Sequence, residues 1–205
     1  MSENFTAEAR AHVATASSAI ARLLDDVARF ERWGERLATV LTGGGRLLAA
    51  GNGGSAAHAQ HLTSELVGRY RDERAPLSAL ALHAESSSTT AIANDYGAEE
   101  VFARQVRAHG RPGDVFLALS TSGRSRNLLV AARDARALHL DVWAITGRTP
   151  NPLASSVDDA LVVDEGDTAI VQEVHQVAVH LICEALEDAL ARPRGAVRDA
   201  WVTRV

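Results

Sequence analysis

Two short segments hold most of the residues able to do chemistry. In the first, His58-Ala59-Gln60-His61-Leu62-Thr63-Ser64-Glu65, His61 and Glu65 stand four residues apart. On a helix that spacing puts both side chains on one face, so an imidazole and a carboxylate can touch one ligand. An ordinary surface pair has the same spacing. The second segment places Gln172, Glu173, His175, Gln176 and His180 among apolar neighbours. Gln172 and His180 lie about two turns apart, roughly 80° around a helix axis, and meet one site only if that face lies against it. Polar groups in so apolar a helix need buried partners or an aqueous cavity. A satisfied structural network and a site both meet that need.

Two loops have the make-up to hold a phosphate. An apolar run leads directly into Gly51-Asn52-Gly53-Gly54-Ser55, and a helical pattern follows. Glycines let the main chain turn tightly, and the free N–H groups of a helix start favour an anion. With Ala56 the letters also fit a loose dinucleotide pattern, but no acidic residue closes a second strand about twenty residues on, as a ribose-binding carboxylate should. The second loop, Ser120-Thr121-Ser122-Gly123-Arg124-Ser125, sets four hydroxyls around one glycine, again before a helical stretch. Such loops bind phosphate oxygens without lysine or metal, although serine-rich turns also serve as helix caps. Together the loops favour a phosphorylated small molecule over a nucleotide. Arg69 and Arg124 are candidate charge partners.

The elements that must position these residues follow from the apolar pattern. Residues 1–42 are helical in period, with Val13, Ile20, Leu23, Leu24, Val27, Phe30, Trp33, Leu37 and Leu41 recurring until Gly43-Gly44-Gly45. Short apolar runs then follow at 47–50, 77–82, 115–119, 142–145 and 160–163, without strict alternation, as expected for strands covered on both faces. Helical stretches near 56–69, 99–109, 125–138 and 168–191 lie between or after them. This β/α alternation predicts an α/β fold with a parallel, doubly wound sheet. Residues 1–192 read as one domain with an N-terminal helical addition, and 193–205, basic and punctuated by Pro and Gly, as a surface tail.

Composition narrows the function classes. The chain has 205 residues, 46% hydrophobic and 23% charged, with a net charge of −5. That length can bury a sizeable core. The acidic balance argues against nucleic acid as a partner, since nonspecific binding needs clustered cations. All 21 basic residues are arginine, which fits codon bias. The single cysteine, Cys183, leaves no intramolecular disulfide or cysteine-based zinc cluster and reads as a small buried hydrophobe. Met1 to Arg10 has no apolar signal core, and no apolar run approaches the roughly 18 to 20 residues of a membrane span. A cytoplasmic location is expected.

Taken together, several segments carry a family resemblance: Gly51 to Tyr70 (GNGGSAAHAQHLTSELVGRY), Ala93-Asn94-Asp95-Tyr96-Gly97, Leu119 to Ser125 (LSTSGRS), and Val171-Gln172-Glu173-Val174-His175 through His180. The combination resembles the phosphoheptose isomerases, enzymes with a sugar isomerase (SIS) domain, over nearly the whole chain. The resemblance implies an SIS fold, a five-stranded parallel sheet flanked by helices. It also implies interconversion of sedoheptulose 7-phosphate and D-glycero-D-manno-heptose 7-phosphate. Its metal ligands fall on His61, Glu65, Gln172 and His180, for one zinc or another divalent ion per subunit. Its substrate contacts fall on Asn52, Gly53, Gly54, Glu65, Asn94, Asp95, Ser120, Thr121, Ser122, Ser125 and Gln172, with Ser55 a further candidate.

Ketose–aldose isomerisation needs a base near carbon, an acid at the carbonyl oxygen and stabilisation of developing charge. Glu65 is assigned as the base and His180 as the opposite acid/base. A homotetramer is expected, from the apolar surface of the N-terminal helices and the resemblance. Two features depart from the family pattern. His58 stands where aspartate is frequent, and Thr168-Ala169-Ile170-Val171 lacks charge before Gln172. Two other readings are a non-catalytic SIS adaptor, resembling replication-initiator-binding proteins through Thr90 to Asp95, and an SIS isomerase for another sugar phosphate. The first lacks the complete Glu/His set, and the second lacks the paired metal motif.

Overall fold

Five apolar runs become five parallel strands: β1 (Leu47–Gly51), β2 (Ala79–Ala81), β3 (Val115–Ser120), β4 (Asp141–Thr146) and β5 (Asp159–Val162), in the order β2-β1-β3-β4-β5. The computed structural model describes residues 3–192, so the tail expected at 193–205 lies outside the described residues. Side chains alternate between two cores. Leu47, Ala49, Val115, Leu117, Leu119 and Ile145 face one; Leu48, Ala50, Phe116, Ala118, Val142 and Ala144 face the other. A strand buried on both faces needs no polar positions, which is why the runs are uniformly apolar.

The first core is covered by α1 (Glu3–Ala21), α2 (Val27–Thr42), α3 (Gly54–Val67) and α7 (Thr168–Ala191), with a short 3-10 turn between α1 and α2. A Cβ on Gly34 would lie 2.5 Å from the Ala185 backbone, so glycine lets α2 and α7 approach closely. Trp33 of α2 stacks on Trp143 of β4 with centroids 4.8 Å apart, and its indole N–H donates to Asp159. The second core is covered by α5 (Val101–His109) and α6 (Arg126–Ala137).

Two elements differ from expectation. The second strand holds only Ala79–Ala81 of the run 77–82, because Leu77 N–H bonds back to the Leu66 carbonyl at the end of α3. A helix unmarked by the apolar pattern, α4 (Ser86–Tyr96), follows β2 and has no buried residue. Its start is set instead by Glu85, whose carboxylate accepts from the N–H groups of Ser87 and Ser88. Hydrogen bonds from the Ser87 side chain first, then from Ser88 and these N–H groups, hold the Glu85 carboxyl down at about 2.

Candidate active site

The order of the strands creates the crevice. β1 leaves toward β2 and β3 toward β4, so the loops after these adjacent strands diverge, and such switch points are where open α/β sheets bind ligands. Gly51 of β1 pairs in register with Leu119 of β3, so both suspected phosphate loops open side by side. They are joined by a reciprocal amide pair: Asn52 Nδ2 donates to Asn127 Oδ1 at 3.0 Å, and Asn127 Nδ2 to Asn52 Oδ1 at 2.9 Å. Asn127 carried no sequence signal beyond being polar in the first turn of a helix.

Gly53 adopts φ +54°, a conformation glycine allows at little cost, and α3 begins at the next residue. In the hydroxyl loop, Gly123 has φ +60° and donates its N–H to Ser120 Oγ at 3.1 Å. The Ser120 and Ser125 hydroxyl oxygens stand 3.5 Å apart. Ser125 is the N-cap of α6 but makes no capping bond, which leaves its hydroxyl for a ligand. The loop rests on Asn151, 3% exposed, whose amide donates to Gly147 O at 3.2 Å and accepts from Ala154 N–H at 2.9 Å. Sequence reading gave Asn151 no role, since its partners are main-chain groups that leave no spacing pattern. Arg124 donates to the Pro150 carbonyl, and Arg69 pairs with Glu73.

Helices α3 and α7 carry the candidate acid/base groups. His61 Nε2 lies 3.1 Å from Glu65 Oε1 one turn along α3, and 3.2 Å from His180 Nε2 on α7. Gln176 Nε2 is also 3.2 Å from His180 Nε2, and the Tyr70 ring lies 5.7 Å from the His180 ring. Glu65 is 23% exposed and His61 39%, so the cluster is open to a ligand. The amide of Gln172 lies against the start of α3, with its oxygen 2.8 Å from where a Cβ on Gly54 would sit. Gln176, unassigned from sequence, is therefore the amide beside His180, while Gln172 packs against the glycine loop.

Deeper between the same helices lie His58 and His175, with ring centroids 6.4 Å apart. Burial lowers the pKa of His58, helped by its neighbour His61. Burial drives His175, fully enclosed, down to about 4, against a weak opposing effect of the Thr146 backbone. His175 is thus a neutral core residue. Cys183 is pushed up to about 12 by burial and by Glu65 and Glu187, so it stays a thiol as its apolar setting suggested.

A tetrahedral metal bound at about 2.0–2.1 Å has donor atoms roughly 3.3 Å apart. The separations around His61 and His180 come close to that edge, and the set of imidazole, carboxylate and amide donors suits zinc. The donors form a chain rather than a cage: among the described residues no three His, Cys, Asp or Glu side chains surround a common point. Asn94 and Asp95 are exposed near the end of α4 and hydrogen-bonded to each other at 2.8 Å.

Comparison with known proteins identifies the family. The SIS domain family matches residues 4–147. A phosphoheptose isomerase of Streptomyces coelicolor is 68% identical over 170 residues, spanning 83% of this chain and 74% of that protein. One of Thiobacillus denitrificans is 47% identical over 165 residues, 79% of this chain and 84% of its own length. Among solved structures, the phosphoheptose isomerase GmhA of Neisseria gonorrhoeae superposes with a TM-score of 0.82 at 36% identity, over 90% of this chain and 99% of that one. The enzyme of Francisella tularensis gives 0.82 at 30% identity, over 92% of this chain and 100% of that one. With its sheet, crevice and histidine–carboxylate cluster, the chain belongs to the phosphoheptose isomerase family of SIS-domain enzymes.

Proposed function

We propose that the protein interconverts D-sedoheptulose 7-phosphate and D-glycero-D-manno-heptose 7-phosphate by proton transfer through an enediol. One observation carries this reading: Glu65 and His180, from two different helices, meet through His61. On the same helix as His180, Gln172 packs against the glycine loop, which lies beside a hydroxyl loop suited to phosphate.

The hydroxyls of Ser120, Thr121, Ser122 and Ser125 and the first N–H groups of α6 hold the phosphate, while Asn52, Gly53, Gly54 and Ser55 line the other wall. Glu65 takes a proton from C1 of the ketose and returns it to C2. His180 supplies a proton to the oxygen on C2 and takes one from the oxygen on C1, so the product is the aldose with no net gain or loss of atoms. A divalent ion, zinc first, would be held by His61, Glu65, Gln172 and His180, and would polarise the sugar oxygens. Gln172 also reaches the sugar, and Asn94 and Asp95 complete substrate binding.

The working form is a homotetramer in the cytoplasm. Exposed Val13, Leu24 and Val27 on the N-terminal side, and Val67, Leu80 and Tyr96 near β2 and α4, support association. Among the described residues no helix is long and apolar enough to cross a membrane. NMR of purified protein with sedoheptulose 7-phosphate and zinc should show the aldose heptose phosphate growing in; no conversion under those conditions refutes the proposal. Light scattering that gave a monomer at micromolar concentration would refute the tetramer.

A further inference from the structure

We propose that Arg74 is a positioning residue that sets Glu65 against His180. Helix α3 ends at Val67, so the carbonyls of its last turn lack the N–H groups that a longer helix would offer. Gly68 N–H satisfies Ser64 O at 2.8 Å. Arg74 takes Glu65 O, to which Nη2 donates at 2.6 Å, and shares Leu66 O with the Leu77 N–H, Nη1 donating at 2.9 Å. Nη1 also reaches Ala75 O at 3.1 Å and Gly68 O at 3.4 Å. Each of these hydrogen bonds ends on a main-chain carbonyl, and the side chain is only 13% exposed. The guanidinium is therefore committed inside the protein rather than offered to a phosphate. A cation is also favoured at the negative end of a helix.

The other side of Arg74 faces α7. Its Nε lies 3.9 Å from Glu187 Oε1, and Glu187 is 12% exposed. Glu187 follows His180 by seven residues, about two turns, so both project from nearly the same face of α7. Glu187 Oε1 also accepts from Arg71 N–H at 3.2 Å. One guanidinium thus grips the main chain of Glu65 and pairs with a carboxylate on the helix face that carries His180. With the Glu65 backbone held, only its side-chain torsions remain to place the carboxylate 3.1 Å from His61. Lysine keeps the charge but lacks the planar fork, so it cannot span these carbonyls and Glu187 together.

The catalytic consequence rests on the isomerase reading above, and the experiment separates the two. Arg74→Met and Arg74→Lys are compared with wild type, alone and combined with Glu65→Gln. Steady-state turnover of sedoheptulose 7-phosphate is measured, together with hydrogen exchange across residues 62–77 by mass spectrometry. The expected result is a kcat loss of about 10- to 100-fold, the scale of a misplaced catalytic group, with KM within about twofold because both phosphate loops are untouched. Exchange across 62–77 should quicken, and Arg74→Met should cause no further loss in the Glu65→Gln background. Wild-type kcat in either variant, or an equal loss with and without Glu65, overturns the proposal. If Arg74→Met does not fold, Arg74→Lys decides by the same measures. If the wild-type protein does not turn over the heptose phosphate, the isomerase reading fails; unchanged exchange in the folded variants then refutes the clamp.

Discussion

Replacing Gly123 with alanine should strike the hydroxyl loop at its support. Gly123 sits at φ +60°, and an added Cβ would lie 2.8 Å from the Asn151 Cβ and closer still to its amide oxygen. Holding alanine in a left-handed conformation costs about 1–2 kcal/mol. Pushing Asn151 aside breaks its bond from Ala154 N–H, and an unpaired buried polar group adds about 1–3 kcal/mol. The sum is about 2–5 kcal/mol, which in a chain of this size lowers the melting temperature by roughly 5–15 °C. Gly113 supplies the control, because it has φ +87° with nothing within 4 Å of its missing Cβ. Gly113→Ala should therefore lose only the conformational part. Calorimetric melting of the two variants measures the difference. Turnover gives a second readout, since moving Ser120, Ser122 and Ser125 should raise KM at least tenfold, or about 1.4 kcal/mol of binding. Equal melting of the two variants, with Gly123→Ala keeping wild-type KM, would refute the idea that Asn151 supports the loop.

Glu65→Gln keeps the shape of the side chain and removes its basicity, so turnover should fall about 10²- to 10⁴-fold while substrate still binds by calorimetry. In D₂O the wild-type enzyme should place deuterium at C2 of the aldose, and full retention of the substrate hydrogen would contradict proton transfer through an exchangeable carboxylate. Exhaustive chelation should lower turnover strongly and zinc should restore it; unchanged rates in verified metal-free protein would reduce His61, Glu65, Gln172 and His180 to acid/base and hydrogen-bonding roles. His175, held down to about 4 in the fold from 6.5, binds fewer protons folded than unfolded between those values. Stability should therefore fall as pH drops from about 6.5 to 4, by up to about 3 kcal/mol. His175→Phe should remove that part of the acid sensitivity, and identical pH slopes of melting temperature in the two proteins would refute it.

What the sequence disclosed depended on how each residue is held. Four of the five strands stood out closely as apolar runs because both sheet faces are covered. β2 was overextended because Leu77 and Leu82 are buried at its ends, Leu77 bonding back to α3 and Leu82 making only a single terminal bond to Ala49. α4 went unseen because a helix with no buried residue has no apolar stripe. His61 and Glu65 were legible through their spacing, and the loops through glycine and hydroxyl content. The meeting of α3 with α7 was not, since separation along the chain says nothing of which faces touch. Asn127, Asn151, Gln176 and Arg74 escaped for a related reason: their partners are distant amides, imidazoles and main-chain carbonyls. Asn94 and Asp95 came from the resemblance, and the single chain leaves them at its surface.

The reciprocal pairing of Asn52 with Asn127 bears on how the crevice greets a charged sugar. Each amide engages one donor and one acceptor across the gap, at the solvent-facing rim, so the pair ties the two loops together and sets their spacing. A ligand bridging the loops would meet a tied span and not two independent flaps, so its length should matter to how it fits. Exchanging both asparagines for alanine would let the loops drift, and the enzyme would then lose discrimination among sugar phosphates of neighbouring chain length before it lost the capacity to bind phosphate itself.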